Sequence, residues 1–290
     1  MARAPLPAHG CDCHVHVVAP QALYPMAADR PYTPGPASVP HLQAHLARMG
    51  LAHAVIVQPS FYGTDNRLLV DSLLALDGAA RGVAVLDARV DDAELVRLHD
   101  VGVRGVRINL ESTGGSDPAA VSQALSAWAG RLAGQGWHLQ VYASLDAIAA
   151  AAPGLRGLPV PVVLDHFAMI PAETPLDDPR VRQVLALLGD GQAYIKLSGA
   201  YRVCRDAADP AQAGRLTALA QAIVRRNPER ALWASDWPHT NREPGKRADE
   251  VSAYRAVPAQ RLRDELDAWL PQAAERQQVL AVNPATLYGF

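Results

Sequence analysis

Short apolar runs, each following a turn signal, punctuate the chain at Cys11 to Val18, Ala54 to Pro59, Gly82 to Asp87, Arg104 to Asn109, His138 to Ala143, Val160 to His166, Tyr194 to Ala200 and Leu232 to Trp237. Their starts recur roughly every thirty residues, the length of one strand-plus-helix unit in a (β/α)8 barrel of ~250 residues. Helical patterns fill the intervals. Asp91 followed by Glu94 predicts a capping box, and Asp117-Pro118, Asp178-Pro179 and Asp209-Pro210 each set a carboxylate before a first-turn proline. Past Pro118, Val121, Leu125, Trp128 and Leu132 recur at helical spacing as a stripe to lay on a sheet, and Gly136 ends the pattern. Alternating strands and helices favour parallel pairing, and right-handed crossovers then leave a closed barrel or a doubly wound open sheet. The expectation is an α/β chain folded as one barrel domain over residues 1–290, with the open sheet as the alternative. No repeat or interdomain linker divides it. The proline-rich stretch from Pro20 to Pro40, carrying Tyr24 and Tyr32, is expected as a lid after strand one. The segments from Pro258 onward are expected as an extension packed on the outside.

Charge narrows the partners. The 290 residues include 27 Lys or Arg and 29 Asp or Glu, with no basic cluster. That balance lacks the electrostatic footprint of a nucleic-acid or anionic-membrane binder, so a small molecule is the expected partner and the oligomeric state stays open. The opening Met1-Ala2-Arg3-Ala4-Pro5 has no apolar core, and no later stretch approaches the ~20 apolar residues of a membrane span. A cytoplasmic location is expected. Cys11, Cys13 and Cys204 are odd in number and lack CxxC spacing, which predicts reduced thiols rather than a disulfide framework or a zinc ribbon.

The most specific feature is Cys11-Asp12-Cys13-His14-Val15-His16. A strand alternates faces, which predicts His14 and His16 on one side with Cys13, Val15 and Val17 on the other. Cys11 and Cys13 would then pack outward. Strand six ends in Val163-Leu164-Asp165-His166 and strand eight in Ala234-Ser235-Asp236-Trp237. Barrel enzymes build their sites at the carboxyl ends of strands, so His14, His16, His166 and Asp236 are expected to converge there. His239, on the loop after strand eight, suits solvent as well as substrate. Lys196 is expected in an interior ion pair, and Trp128, Trp137 and Trp269 as packing residues. Gly114-Gly115 lacks the spacing of a phosphate loop.

The HxH opening, the Leu164-Asp165-His166 strand end, Lys196-Leu197-Ser198-Gly199, Ala234-Ser235-Asp236-Trp237-Pro238 and the ending Asn283-Pro284-Ala285-Thr286-Leu287-Tyr288-Gly289-Phe290 together resemble the amidohydrolase superfamily. The resemblance covers nearly the whole chain and is nearest to the lactonase branch, whose members act on 2-pyrone-4,6-dicarboxylate, sulfomuconolactone and fuconolactones. It implies a TIM barrel and hydrolysis of a carboxylated lactone: a 2-pyrone-4,6-dicarboxylate, or a related muconolactone or sugar lactone. It implies Asp236 as the general base for water, and His14, His16 and His166 as hydrogen-bond donors to the carbonyl oxygen as it becomes an oxyanion. Tyr32, Ser60, Arg107, Tyr142 and Arg202 match the branch's ring and carboxylate binders. Guanidinium, always charged and planar, grips carboxylate oxygens two at a time. Arg104, opposite in strand parity to Arg107, is expected to be structural. Where the pyrone hydrolases carry a second arginine six residues past Arg107, this chain has Thr113, which removes one such fork.

Binuclear members of the superfamily bridge two metals through a carboxylated Lys or a Glu on strand four. Here that strand offers neither, and the only lysines are Lys196 and Lys246. One zinc ion on His14, His16, His166 and Asp236 stays open by ligand count. The resemblance to the pyrone hydrolases implies a site without metal, since an activated lactone needs less Lewis-acid help than an amide. No cofactor is therefore expected, with one zinc ion as the alternative. A zinc-dependent lactonase or decarboxylase, an isomerase of sugar-diacid lactones and a non-catalytic sugar-acid binder are the rival functions. The base assignment requires that Asp236 meet water.

Overall fold

The computed structural model describes residues 5–109 and 118–290. Thr113, Gly114, Gly115 and the capping Asp117 lie outside the described residues, as does the side chain of Val121. Eight strands form one sheet: β1 (Cys11–Val15), β2 (His53–Val57), β3 (Ala80–Ala84), β4 (Val103–Asn109), β5 (His138–Tyr142), β6 (Val162–Leu164), β7 (Ala193–Leu197) and β8 (Ala231–Trp233). Neighbours follow chain order and every pair is parallel. β1 and β8 close the ring. The His16 amide donates to Trp237 O at 2.8 Å and the Asp236 amide to His14 O at 3.1 Å, around a Val15–Trp237 bridge. These bonds exclude the open sheet, and the backbone that seals the barrel carries His14, His16 and Asp236.

The three aspartate caps form, but the capping box expected at Asp91 is half made, since the Glu94 carboxylate accepts from Arg97 instead. Asp91 accepts the Glu94 amide at 2.8 Å, Asp178 the Arg180 amide at 2.8 Å and Asp209 the Ala211 amide at 2.9 Å. On the helix Pro118–Leu132, Leu125, Ala129 and Leu132 are buried and Trp128 half-buried against the main core. Trp137 and Trp269 are also buried packing residues. Among the described residues no helix is long and apolar enough to cross a membrane.

Strand alternation divides two apolar layers. Ala54, Ile56, Val106, Leu139, Val162, Ile195 and Trp233 face the helices, whereas Val55, Val57, Val83, Val163, Tyr194 and Leu232 fill the barrel. Cys11 and Cys13 belong to the inner layer, which corrects their expected outward packing. The register of β1 on β2 shifts between Asp12 and Val15, and this bulge turns Cys13 and His14 inward together. Asp12 turns out instead, 3.1 Å from His45 Nε2 and accepting the Ser235 amide at 2.9 Å.

The end of the chain also departs from expectation. The helix Ala259–Trp269 packs outside, with the Trp269 ring edge-on to Phe167. The last helix, Asn283–Tyr288, instead plugs the amino end of the barrel. Asn283 Nδ2 donates to Pro228 O and Ala231 O, both at 2.7 Å, and Arg81 Nη2 to Gly289 O at 2.6 Å. Tyr288 is fully buried within the inner layer, its ring centroid 5.3 Å from that of His138. A Cβ on Gly105 would lie 2.4 Å from the His138 ring, which Tyr288 prevents from yielding. Gly105→Ala is expected to cost about 1–3 kcal/mol through overpacking, read as a lowered urea midpoint; an unchanged midpoint would show that the plug gives way.

The lid expected from Pro20 to Pro40 is tethered. Thr33–Pro34 pairs in parallel with Val251–Ser252, and Thr33 Oγ1 donates to Ala248 O at 2.6 Å, so the loops after β1 and β8 are joined. Tyr24 stands apart, donating to Asp71 at 2.6 Å.

Candidate active site

A cavity of about 260 Å³ opens at the carboxyl ends of the strands. Its wall gathers His16, Tyr32, Ser60, Arg107, Tyr142, His166 and Arg202, residues scattered over most of the sequence, together with Pro31, Pro59 and Thr240. His14 and Asp236 lie beneath, each 0% exposed. Asp236 therefore does not meet water directly, contrary to expectation. Its route to the cavity passes His16, whose Nε2 is 3.7 Å from Asp236 Oδ1.

Backbone in the left-handed region aims these groups. Asp236 has φ 62°, and His166 to Met169 all have φ between 49° and 55°. Such conformations cost non-glycine residues of order 1 kcal/mol each and concentrate at functional sites. No Gly or Asn marks this turn, so sequence gives no sign of it. Gly199, at φ 61°, is needed: a Cβ there would come within 3.0 Å of His166 Nδ1.

Each imidazole is held through Nδ1. His16 Nδ1 donates to Val57 O at 2.7 Å, so the neutral ring carries its proton there and presents a lone pair from Nε2. In that form it is an acceptor rather than the donor expected. His166 Nδ1 is 2.9 Å from Ser198 Oγ, a hydroxyl that can donate and leave the proton on Nε2. His14 Nδ1 sits 3.2 Å from Asp165 Oδ1 and 3.3 Å from Lys196 Nζ, and its Nε2 is 3.8 Å from Asp236 Oδ1. The far oxygen of Asp236 accepts from Arg202 Nε at 2.6 Å and from Tyr201 Oη at 2.7 Å. That clamp leaves Oδ1 facing the histidines.

A buried ion pair supports the floor, as expected for Lys196. Its Nζ is 3.2 Å from Asp165 Oδ1 and donates to Gln140 Oε1 at 2.7 Å, while Gln140 Nε2 donates to Asp165 Oδ2 at 3.0 Å. Asp165, Gln140, Tyr201 and Ser198 were not among the candidates. Gln140 carries a readable signal, a polar residue within an apolar strand on the same face as Tyr142. Tyr142 stands edge-on to His166, with the Arg107 guanidinium 5.7 Å from its ring centre. Among the described residues Arg104 donates to the carbonyls of His99 and Val103, the structural part expected of it. His239 is buried, 3.4 Å from Tyr201 Oη, and lines no part of the cavity.

Burial sets the protonation states. It pushes His16 and His239 down to about 4 and His166 and His138 to about 3, and holds His14 well below its ordinary value despite Asp165. Burial would raise Asp236, but the Arg202 guanidinium outweighs it and holds the carboxyl well below the usual range. Lys196 and His14 do the same for Asp165. An unfolded histidine titrates near 6.5, so as pH falls from about 6.5 towards 4 the unfolded chain binds protons that the folded chain refuses. Stability is therefore expected to fall across that window, and the two aspartates extend the loss below the ordinary carboxylate range. A urea midpoint at pH 5 equal to that at pH 7 would contradict neutral buried histidines.

The donor set fits one metal ion. Ligand atoms of His14, His166 and Asp236 lie within 4.8 Å of one another. His14 Nε2 and Asp236 Oδ1 are buried with no hydrogen-bond partner, an opposition of acceptors that a cation would relieve. Orientation of each ring through Nδ1 is also the pattern of ligating histidines.

The carboxyl end of the barrel thus gathers two histidines from the first strand, one after the sixth and an aspartate after the eighth, the frame of a hydrolase site. Residues 11–290 match the family described as amidohydrolase, and the chain belongs to it. The 2-pyrone-4,6-dicarboxylate hydrolase of Comamonas testosteroni is 32% identical over 98% of this chain and 91% of its own. The 4-sulfomuconolactone hydrolase of Rhizobium radiobacter is 27% identical over the same shares. A crystal structure from Acinetobacter baumannii, of a probable 2-pyrone-4,6-dicarboxylic acid hydrolase with citric acid bound, superposes with a TM-score of 0.81 at 26% identity, covering 97% of this chain and all of that one.

Proposed function

We propose that this hydrolase opens a carboxylated lactone. One observation carries the reading: a single cavity joins a carboxylate under its floor to two guanidiniums in its wall, Arg107 and Arg202. The first supplies a base and the second pair an anchor. The activities named for the two curated relatives support the ring chemistry, and citric acid in the Acinetobacter structure supports carboxylate binding.

In this reading the guanidiniums draw in the substrate carboxylate and orient the ring between Tyr32 and Tyr142. Water at the floor gives a proton to His16 Nε2, and Asp236 Oδ1 stabilises or takes that charge, while the hydroxide adds to the lactone carbonyl carbon. His166, with Ser198 donating to its Nδ1, offers an N–H from Nε2 to the oxygen that becomes negative. Collapse breaks the ring C–O bond, and the stored proton passes to the leaving oxygen. Positioned proton transfer contributes ~10²–10⁴ in rate and each oxyanion donor ~10²–10³. An activated ester needs no more, so turnover without metal is the first reading. The unpartnered His14 Nε2 and Asp236 Oδ1 favour a second, in which His14, His166 and Asp236 would hold one metal ion that would supply Lewis-acid polarisation of the carbonyl, with His16, expected as a fourth ligand, outside that cluster. Three buried free thiols suit a reducing cytoplasm.

The test is a panel of pyrone carboxylates, muconolactones and aldonolactones, assayed for ring opening before and after chelation, with metal analysis of the protein. Opening of a carboxylated lactone is expected. A panel untouched above background would refute the reading, and activity lost on chelation and restored by zinc would select the metal-bearing form.

A further inference from the structure

One oxygen of Asp236 is held and the other is not. Oδ2 accepts from Arg202 Nε at 2.6 Å and from Tyr201 Oη at 2.7 Å, whereas Oδ1 is buried with no hydrogen-bond partner, 3.7 Å from His16 Nε2 and 3.8 Å from His14 Nε2. A carboxylate gripped by a single donor can still turn about that bond, and a second donor from another direction stops the turn. Arg202 is a poor sole anchor, because it also lines the cavity and, on the lactonase reading, serves the substrate. Tyr201 is absent from the described residues that line the cavity. Its hydroxyl has one short partner, Asp236, with His239 Nδ1 farther off at 3.4 Å.

Tyr201 is itself held from the opposite side. The Arg255 guanidinium lies over its ring, 5.0 Å from the centre, and the ring stands edge-on to His239. Arg255 is exposed and among the described residues pairs with no carboxylate, so the ring is what its guanidinium meets. Its amide donates to His239 O at 2.9 Å, which fixes the backbone beside the ring. The preceding side chain faces the lid instead: Tyr254 Oη donates to Gly35 O, next to the pairing of Thr33–Pro34 with Val251–Ser252. Two adjacent residues thus reach the lid and the support of the base.

We infer that Tyr201 is a positioning residue that fixes the aim of Asp236, and that Arg255 holds it there from the segment joined to the lid. The inference rests on the lactonase reading and adds to it the part that keeps Oδ1 turned to the histidines.

Tyr201→Phe keeps the ring and its neighbours and removes only the hydroxyl. On a lactone that the wild type opens, its kcat is expected to fall about ten- to a hundredfold, the worth of one hydrogen bond to a charged group, with KM unchanged because Tyr201 stands outside the cavity wall. Arg255→Ala is expected to lower kcat about two- to fivefold, the worth of an exposed cation–π contact, again without moving KM. In the Tyr201→Phe background Arg255→Ala should cost nothing more, and a further loss there would refute the part given to Arg255. An unchanged or raised kcat in Tyr201→Phe, or a KM that rises as kcat falls, would overturn the inference. A lowered urea midpoint with kcat intact would make the hydroxyl a purely structural bond and overturn it as well. A wild-type chain inert on the whole lactone panel would sink both readings, whereas a wild type that opens a lactone no faster than Tyr201→Phe sinks this one alone.

Discussion

Asp236→Asn is expected to lower kcat for ring opening by roughly 10²–10⁴-fold, the worth of positioned proton transfer, without raising KM. The amide matches the carboxylate in shape but cannot stabilise a proton on His16. It also changes the surroundings in an identifiable way. An NH2 group facing His14 Nε2 and His16 Nε2 would satisfy lone pairs that now oppose Asp236 Oδ1 at 3.8 and 3.7 Å. The variant should therefore stay folded, and a lost rate could not be blamed on a lost structure. Arg202, released from its 2.6 Å partner, becomes an uncompensated cation in the cavity wall. Carboxylated ligands should then bind more tightly, so KM is expected to hold or fall as kcat collapses. An unchanged kcat would remove Asp236 from the mechanism. Lost turnover with retained affinity would also exclude a barrel that merely binds sugar acids.

Lys196→Met should cost about 3–5 kcal/mol of stability, because it strands the Asp165 carboxylate, which is fully buried. Gln140 and His14 would remain to meet that charge, with the Arg107 guanidinium 3.9 Å away. Introducing Asp165→Asn into the same chain should recover part of the loss, since no buried charge is then left unmatched, and the double-mutant cycle reads the coupling directly. The urea midpoints of the four proteins decide the matter. Additive losses would show that the two side chains do not act as a pair. Turnover should also suffer in Lys196→Met, because His14 takes its orientation from the same cluster.

How far the sequence speaks depends on the range of the interaction concerned. The eight runs, the Asp-Pro helix starts and the residues at strand ends are legible because alternation, caps and prolines act within a few residues of themselves. The bulge in β1 is not, since it follows from how Asp12 is drawn outward to His45 and Ser235. Strict alternation therefore placed His14 and His16 correctly and Cys13 on the wrong side. The tautomer of His16 depends on the carbonyl of Val57 in another strand, and the aim of His166 on a left-handed turn that its sequence does not advertise. Asp165 was visible beside His166 in the same motif, but its part as the hub for Lys196, Gln140 and His14 exists only once β5, β6 and β7 lie side by side.

By itself the amino-acid order determined eight alternating strand and helix units and the histidines and aspartate at their strand ends, because local periodicity and strand-end position carry that information, while the arginines' part came from the family resemblance. The tertiary structure alone decided that the barrel closes, that Asp236 lies under His16 out of reach of water, that the last helix plugs the barrel, and that Arg107 stands 3.9 Å from the Asp165 carboxylate. Burial and ion pairing are sums over neighbours contributed by distant segments, and no stretch of chain contains the sum.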